Sequence, residues 1–65
     1  MLEYQQRVVD EKVALDEKIE KLDKFIGGDI FKALSDCEQT LLARQITIMI
    51  EYSVILGKRI SEFGD

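Results

Sequence analysis

Phe25-Ile26-Gly27-Gly28-Asp29-Ile30 divides the chain in two. Glycine has the most backbone freedom to lose and is the commonest residue just past a helix end. Two in succession, in an otherwise glycine-poor sequence, therefore read as a helix stop and a turn. Upstream, Val8, Leu15, Ile19, Leu22 and Ile26 recur at steps of seven, four, three and four, which lines them along one stripe of a helix. The other faces are charged, with Glu3 and Arg7, Arg7 and Glu11, Lys12 and Asp16, Glu17 and Lys21, and Glu20 and Lys24 one helical turn apart. Each such pair adds about 0.2 to 0.5 kcal/mol to an exposed helix.

Downstream of the glycines, Asp29 is expected to cap a short helical turn through Ile30, Phe31, Ala33 and Leu34. Ser35-Asp36-Cys37-Glu38 then fits a capping box that starts a second long helix. In it Leu42, Met49, Leu56 and Phe63 recur every seven residues, with Leu41, Ile48 and Ile55 on the adjacent stripe. Between Ile46 and Leu56 only Thr47, Glu51 and Ser53 are not hydrophobic, and Ile50 and Val54 lie off the main stripe. A helix apolar on most sides must be buried on most sides, yet one partner helix covers one stripe.

The predicted fold is all-α: an antiparallel two-helix hairpin with a short connecting helical turn, assembled into a homo-oligomeric helical bundle. The boundaries are a helix over about 2–26, a turn and short helix over 27–34 and a helix over about 36–62, in a single domain of residues 1–65. At about 1.5 Å per residue the long helices run roughly 37 and 40 Å, matched for a hairpin. Hydrophobic burial in so short a chain barely offsets lost conformational entropy without a staple or oligomerisation. The alternative architecture is a monomer that holds a host protein's helix in its groove.

Among 65 residues there is no histidine, no proline, no tryptophan and one cysteine. Lacking histidine, the chain lacks the usual general base and the commonest metal ligand, so no enzyme and no cofactor are expected. Cys37 alone supplies neither a disulfide nor a structural zinc site. It falls near the start of the second helix, where a thiolate is favoured, but Asp36 and Glu38 oppose that and no histidine is there to act as base. Met1 to Arg7 lacks the basic and apolar regions of a secretory signal, which points to the cytoplasm. The Ile46 to Leu56 run is about half a bilayer-spanning length, so no membrane helix is expected. A net charge of -4 argues against duplex nucleic acid as a partner. A local basic pocket remains open.

An antiparallel hairpin brings residues whose numbers sum to roughly 62 to 66 to one height, by equal rise per residue. Tyr4 is thus expected near Ile60, and Lys12 near Tyr52. The open end collects Tyr4, Gln5, Gln6, Arg7, Lys58 and Arg59 under Phe63, a cationic and aromatic concentration suited to a small nucleotide. The plainer alternative pairs Arg7 with Glu3 or Glu11, and Arg59 with Glu62, as surface ion pairs. Lys12, Gln45 and Arg59 fall at core-type positions, either to fix register or to line a polar pocket between subunits together with Tyr52. The candidate ligand-binding residues are therefore Tyr4, Arg7, Lys12, Gln45, Tyr52, Lys58 and Arg59. Gly57, inside the second helix, suggests close helix approach. The carboxylate pairs Asp10-Glu11 and Asp16-Glu17 diverge around their helix, and Gly27-Gly28 has none of the context of a phosphate-binding loop.

Tyr4 through Lys12, Leu15-Asp16-Glu17-Lys18-Ile19, and Leu41-Leu42-Ala43-Arg44-Gln45 leading to Met49, Tyr52, Leu56 and Arg59-Ile60 carry a further reading. Through these segments the chain resembles the small accessory proteins of bacteriophages and prophages. The resemblance spans nearly the whole chain and rests on helical patterning rather than on a chemical motif. It implies the cytoplasm of a bacterial host and a stoichiometric, non-enzymatic action. Some phage counter-defence proteins of this kind are compact helical oligomers that sequester cyclic nucleotide signals of bacterial immunity, and others bind a host protein directly. The expected function is sequestration of a small anionic signal, a cyclic nucleotide. Arg7, Lys58 and Arg59 would neutralise phosphates, Tyr4 and Tyr52 would stack or donate hydroxyls, and Lys12 and Gln45 would order the interface. The alternative is an inhibitor or adaptor that docks on a host helix through Ile46, Ile50 and Val54.

Overall fold

The computed structural model describes residues 1–64. Three helices follow one another, α1 over Glu3–Ile26, α2 over Asp29–Ala33 and α3 over Asp36–Ser61, and the described residues contain no strand. The long helices run antiparallel as a rod with Cα extents of 48 × 15 × 14 Å. Its radius of gyration is 14.9 Å, against about 11 Å for a compact chain of this length. The architecture is the all-α hairpin that the sequence predicts, with short α2 at the closed end.

Local chemistry sets each boundary. The Leu2 backbone N–H donates to the Gln5 side chain at 2.9 Å, satisfying one of the orphan donors at the start of α1. Gly27 ends that helix at φ −78° and Gly28 is extended at φ −98°, so neither glycine uses the left-handed region. Their contribution is a weak helical preference at the point where the chain must leave the helix. Gly28, rather than Asp29, is the N-cap of α2; Asp29 is the first helical residue, where its charge favours the helix dipole. At the other end of α2, the Gln39 amide donates to the carbonyls of Phe31 and Leu34 at 3.1 Å and of Lys32 at 3.3 Å, tying the short helix to α3. Ser35 caps α3 by accepting from the Glu38 N–H at 3.2 Å.

The core is a single seam. Leu42, Ile46, Met49, Ser53, Leu56 and Ile60 of α3 turn toward Val8, Leu15, Ile19, Leu22 and Ile26 of α1. Among the described residues only Val8, Ser53 and Leu56 are buried, and Leu56 is completely so. Ile46 belongs to this seam and is therefore not part of an outer docking face, contrary to its expected grouping with Ile50 and Val54. Outside the seam α3 remains apolar on both flanks: Leu41 (55% exposed), Ile48 (60%) and Ile55 (54%) on one, Ile50 (46%) and Val54 (51%) on the other.

α3 is also long and apolar enough, by length and composition, to cross a membrane. The apolar character therefore extends beyond the Ile46 to Leu56 run. In the hairpin one face of that helix lies against α1, whose other faces are charged.

Candidate functional site

Two polar contacts cross the seam, and they lie on opposite sides of it. On one side the Tyr52 hydroxyl donates to the Glu11 carboxylate. On the other, the Lys12 ammonium donates to Asp16 Oδ2 at 2.9 Å and to Ser53 Oγ at 3.0 Å, while Ser53 donates to Asp16 Oδ1. The open end is closed by Tyr4 and Phe63, edge to face at 5.8 Å. Lys12 thus meets Ser53 rather than Tyr52, and Tyr4 meets Phe63 rather than Ile60, a fraction of a turn from the expected register.

Gly57 explains how Lys12 reaches its partners. A Cβ at Gly57 would sit 3.3 Å from Lys12 Cε, so the bare backbone leaves room for the lysine stem to lie across α3. The close approach signalled by this glycine is therefore between a side chain and a helix. Ser53 and Lys12 together hold the Asp16 carboxyl below the ordinary aspartate range, the serine hydrogen bond contributing most. Tyr52 is pushed the other way: hydrogen bonding to Glu11 raises its phenol above the ordinary value, and the nearby Arg59 charge opposes that rise.

Helical phase, at about 100° per residue, puts Tyr4, Arg7 and Glu11 of α1 on the same side of the seam as Gln45, Tyr52 and Arg59 of α3. Five of the seven candidate residues therefore share one face. Gln45 stands apart along it, roughly 21 Å from Arg59 at ~1.5 Å per residue. It is exposed, within reach of the Met49 sulfur at 3.9 Å. Arg59 is exposed as well, so neither is a core residue of the single hairpin. Lys12 lies on the opposite side in the Asp16–Ser53 cluster, and Lys58 points away from the row. Arg7 pairs with Glu3 at 2.7 Å, both side chains largely in solvent. Among the described residues Lys58 and Arg59 form no ion pair. A shallow depression of about 330 Å³ lies at this end, lined by Met1, Gln5, Ile60, Ser61, Phe63 and Gly64.

Glu11, Asp16 and Ser53 were not among the candidates. Their signal lies in the pairing of the helices: Glu11 stands level with Tyr52 and Ser53 with Lys12 once the hairpin is closed, and Asp16 lies one turn along α1 from Lys12. No group of metal-binding side chains occurs among the described residues.

A family model described as Sequestin matches residues 2–62. The chain belongs to the Sequestin family. It is also 43% identical, over 63 residues, to an uncharacterized 7.5 kDa protein of enterobacteria phage T4 encoded in the denB-rIIB intergenic region. That alignment covers 97% of this chain and 98% of the relative, so the two correspond end to end. No solved structure matches the chain. The resemblance to small phage accessory proteins is thereby met by a phage relative of the same size. Within this Sequestin chain, the row of Tyr4, Arg7, Tyr52 and Arg59 gathers two guanidinium groups and two phenols on one face, with Glu3 on Arg7 and Glu11 on Tyr52.

Proposed function

We propose that this Sequestin protein sequesters a small anionic signal, a cyclic nucleotide of bacterial immunity, as a homo-oligomeric bundle in the host cytoplasm and without chemical change. The observation that carries the reading is the shared face of Tyr4, Arg7, Tyr52 and Arg59 at one end of an acidic rod. The family name, with its sense of sequestration, supports it. Guanidinium groups fork onto phosphate oxygens and aromatic faces stack on bases. Glu11 now accepts the Tyr52 hydroxyl proton. A phosphate oxygen is the natural competitor for that donor, so binding exchanges a carboxylate partner for a ligand partner. Lys58 adds long-range positive charge, while Lys12 holds the two helices in register beneath the site.

Calorimetry with cyclic di- and trinucleotides, on protein shown to be folded and assembled, tests the reading. Saturable heat is expected, and replacing Arg7 or Arg59 with alanine should weaken binding about 10- to 100-fold, the worth of a hydrogen bond to a charged group. No heat from any of these nucleotides would overturn it. A second reading has its own observation, because Ile50 and Val54 are exposed on the flank away from Tyr52. As an adaptor the protein would dock that flank on a host helix. Valine-to-aspartate substitution at Val54 would then abolish stoichiometric capture of a host protein, while a sponge would keep its nucleotide affinity.

A further inference from the structure

Leu41, Ile48 and Ile55 stand seven residues apart on one side of α3, each more than half exposed, and α1 covers none of them. Two opposite charges flank Ile48 on one edge of this stripe. Arg44 precedes it by one turn and Glu51 follows by one turn, and both line one depression with Ile48. We propose that a second copy of this chain docks here, α3 against α3 and antiparallel, about a two-fold axis beside Ile48.

In that arrangement Leu41 meets Ile55 of the second copy and Ile48 lies against its own counterpart. Arg44 faces Glu51, and symmetry makes the pair twice. A parallel pairing stacks Arg44 on Arg44 and Glu51 on Glu51, like on like. An antiparallel pairing shifted by one heptad sets Arg44 against Lys58 and Glu51 against itself. Charge thus selects one register among those the apolar stripe allows, which is how flanking charges specify helix pairing. An isologous contact of this kind closes on itself and does not propagate. The surface is also shaped for it. Two shallow depressions, about 550 and 380 Å³, share Arg44 and Ile48 in their linings and leave hollows for the facing side chains.

The same register brings the second copy's Arg44 beside Tyr52. The anion-binding row is then completed across the interface by a residue that single-chain reasoning does not select. The interface shares with the proposed function only the statement that the chain self-associates. Its test contains no nucleotide: a wrong register leaves the proposed function standing, a failure to bind nucleotide leaves the interface standing, and only a monomeric parent counts against both.

Charge exchange and crosslinking provide the test. The unaltered chain is expected to sediment as a dimer or a multiple of one. Arg44→Glu and Glu51→Arg should each weaken association about tenfold or more, and the double variant R44E/E51R should recover most of the loss. In a Cys37→Ser background, Ile48→Cys should be captured as a dimer by a short bis-maleimide. Leu41→Cys and Ile55→Cys should each fail alone but crosslink when mixed, because their like copies lie more than about 15 Å apart along the axis. Ile48 is outside the seam, so circular dichroism should stay helical throughout. A monomeric parent, a double variant no tighter than the singles, or self-crosslinking of Leu41→Cys would each overturn the interface. So would co-sedimentation with phosphatidylglycerol vesicles in place of self-association, which would assign the face to a lipid surface.

Discussion

The inner and outer stripes of α3 follow the same rule and meet different fates. Leu42, Met49 and Leu56 recur every seven residues, as do Leu41, Ile48 and Ile55 one position earlier along the helix. The first set closes on α1, and Leu56 is wholly buried there; the second is more than half in solvent. Nothing in the periodicity distinguishes them. What does is the supply of cover, since α1 is charged on all faces but one and can bury only one stripe of its neighbour. A sevenfold recurrence marks a face that favours burial, and the supply of cover determines whether it is buried.

That contrast is broken or upheld most sharply by two adjacent residues. Leu56→Ala removes the only completely buried large side chain among the described residues and should cost about 2 to 5 kcal/mol. A chain of this size holds only a few kcal/mol in total, so the hairpin should be largely unfolded at room temperature. Ile55→Ala, next along the helix, should change the stability of the dilute hairpin by no more than about 0.5 kcal/mol. Its effect should appear at high concentration, as weaker association. Thermal melts followed by circular dichroism at two concentrations separate these outcomes, and equal losses at dilution would erase the distinction between the stripes.

Gly57 sharpens the comparison on the seam itself. Leucine at that position would occupy the space of the Lys12 stem, 3.3 Å from where a Cβ would stand, and should destabilise by about 1 to 3 kcal/mol. Alanine should be close to neutral, since about 1 kcal/mol of helical preference offsets a contact that the flexible lysine relieves. Urea titration of the two variants checks the pair. An alanine variant as damaged as the leucine one would mean that the backbone, not the lysine stem, fills the gap.

These cases show what could be read in advance. The hairpin was legible because Gly27 and Gly28 separate two periodic segments, and the start of α3 because Ser35 stands three residues before Glu38. The register was read nearly right, since equal rise fixes it to within a turn; the Tyr4–Phe63 edge contact and the Lys12–Ser53 bond set the remainder. Ser53 itself was illegible. One serine in an apolar run looks like noise, and its partners Lys12 and Asp16 stand 41 and 37 residues away. Gln39 carries a signal of its own, for it lies three residues before Leu42 on the inner stripe, where a polar side chain needs a partner. Gln45 and Arg59 were assigned to the core because two apolar stripes about 100° apart leave the heptad letters ambiguous.

Lys12 separates register from stability. Lys12→Leu keeps the Ser53 to Asp16 hydrogen bond and replaces a half-buried ammonium with apolar bulk, so stability should rise or stay within about 1 kcal/mol of the parent. Asp16→Ala leaves Lys12 and Ser53 without their shared acceptor and should cost about 1 kcal/mol. A loss on Lys12→Leu larger than on Asp16→Ala would show that the lysine contributes stability in its own right.

The smallest effects lie in pH, and they run in opposite directions on the two sides of the seam. Asp16 titrates below its ordinary 3.8 in the hairpin because Ser53 and Lys12 favour its charged form. The unfolded chain therefore binds a proton first as pH falls. The stability Asp16 supplies is complete above the ordinary carboxylate range and is lost as pH drops through the depressed value. Its carboxylate is about half exposed, at 48%, so solvent screens much of the effect. Tyr52 behaves inversely. Its phenol is raised above 10.0 by the bond to Glu11, so its contribution is complete below that value and disappears as pH climbs through the raised one. Urea midpoints for Asp16→Asn should lose part of the acid dependence as pH falls through and below the ordinary aspartate value of 3.8. Tyr52→Phe should flatten the alkaline limb, and phenolate absorbance should lose its later-titrating component. An acid limb unchanged in Asp16→Asn would mean that Ser53 and Lys12 bind the protonated and ionised carboxyl equally, and the polar cluster would then be a packing feature with no charge preference.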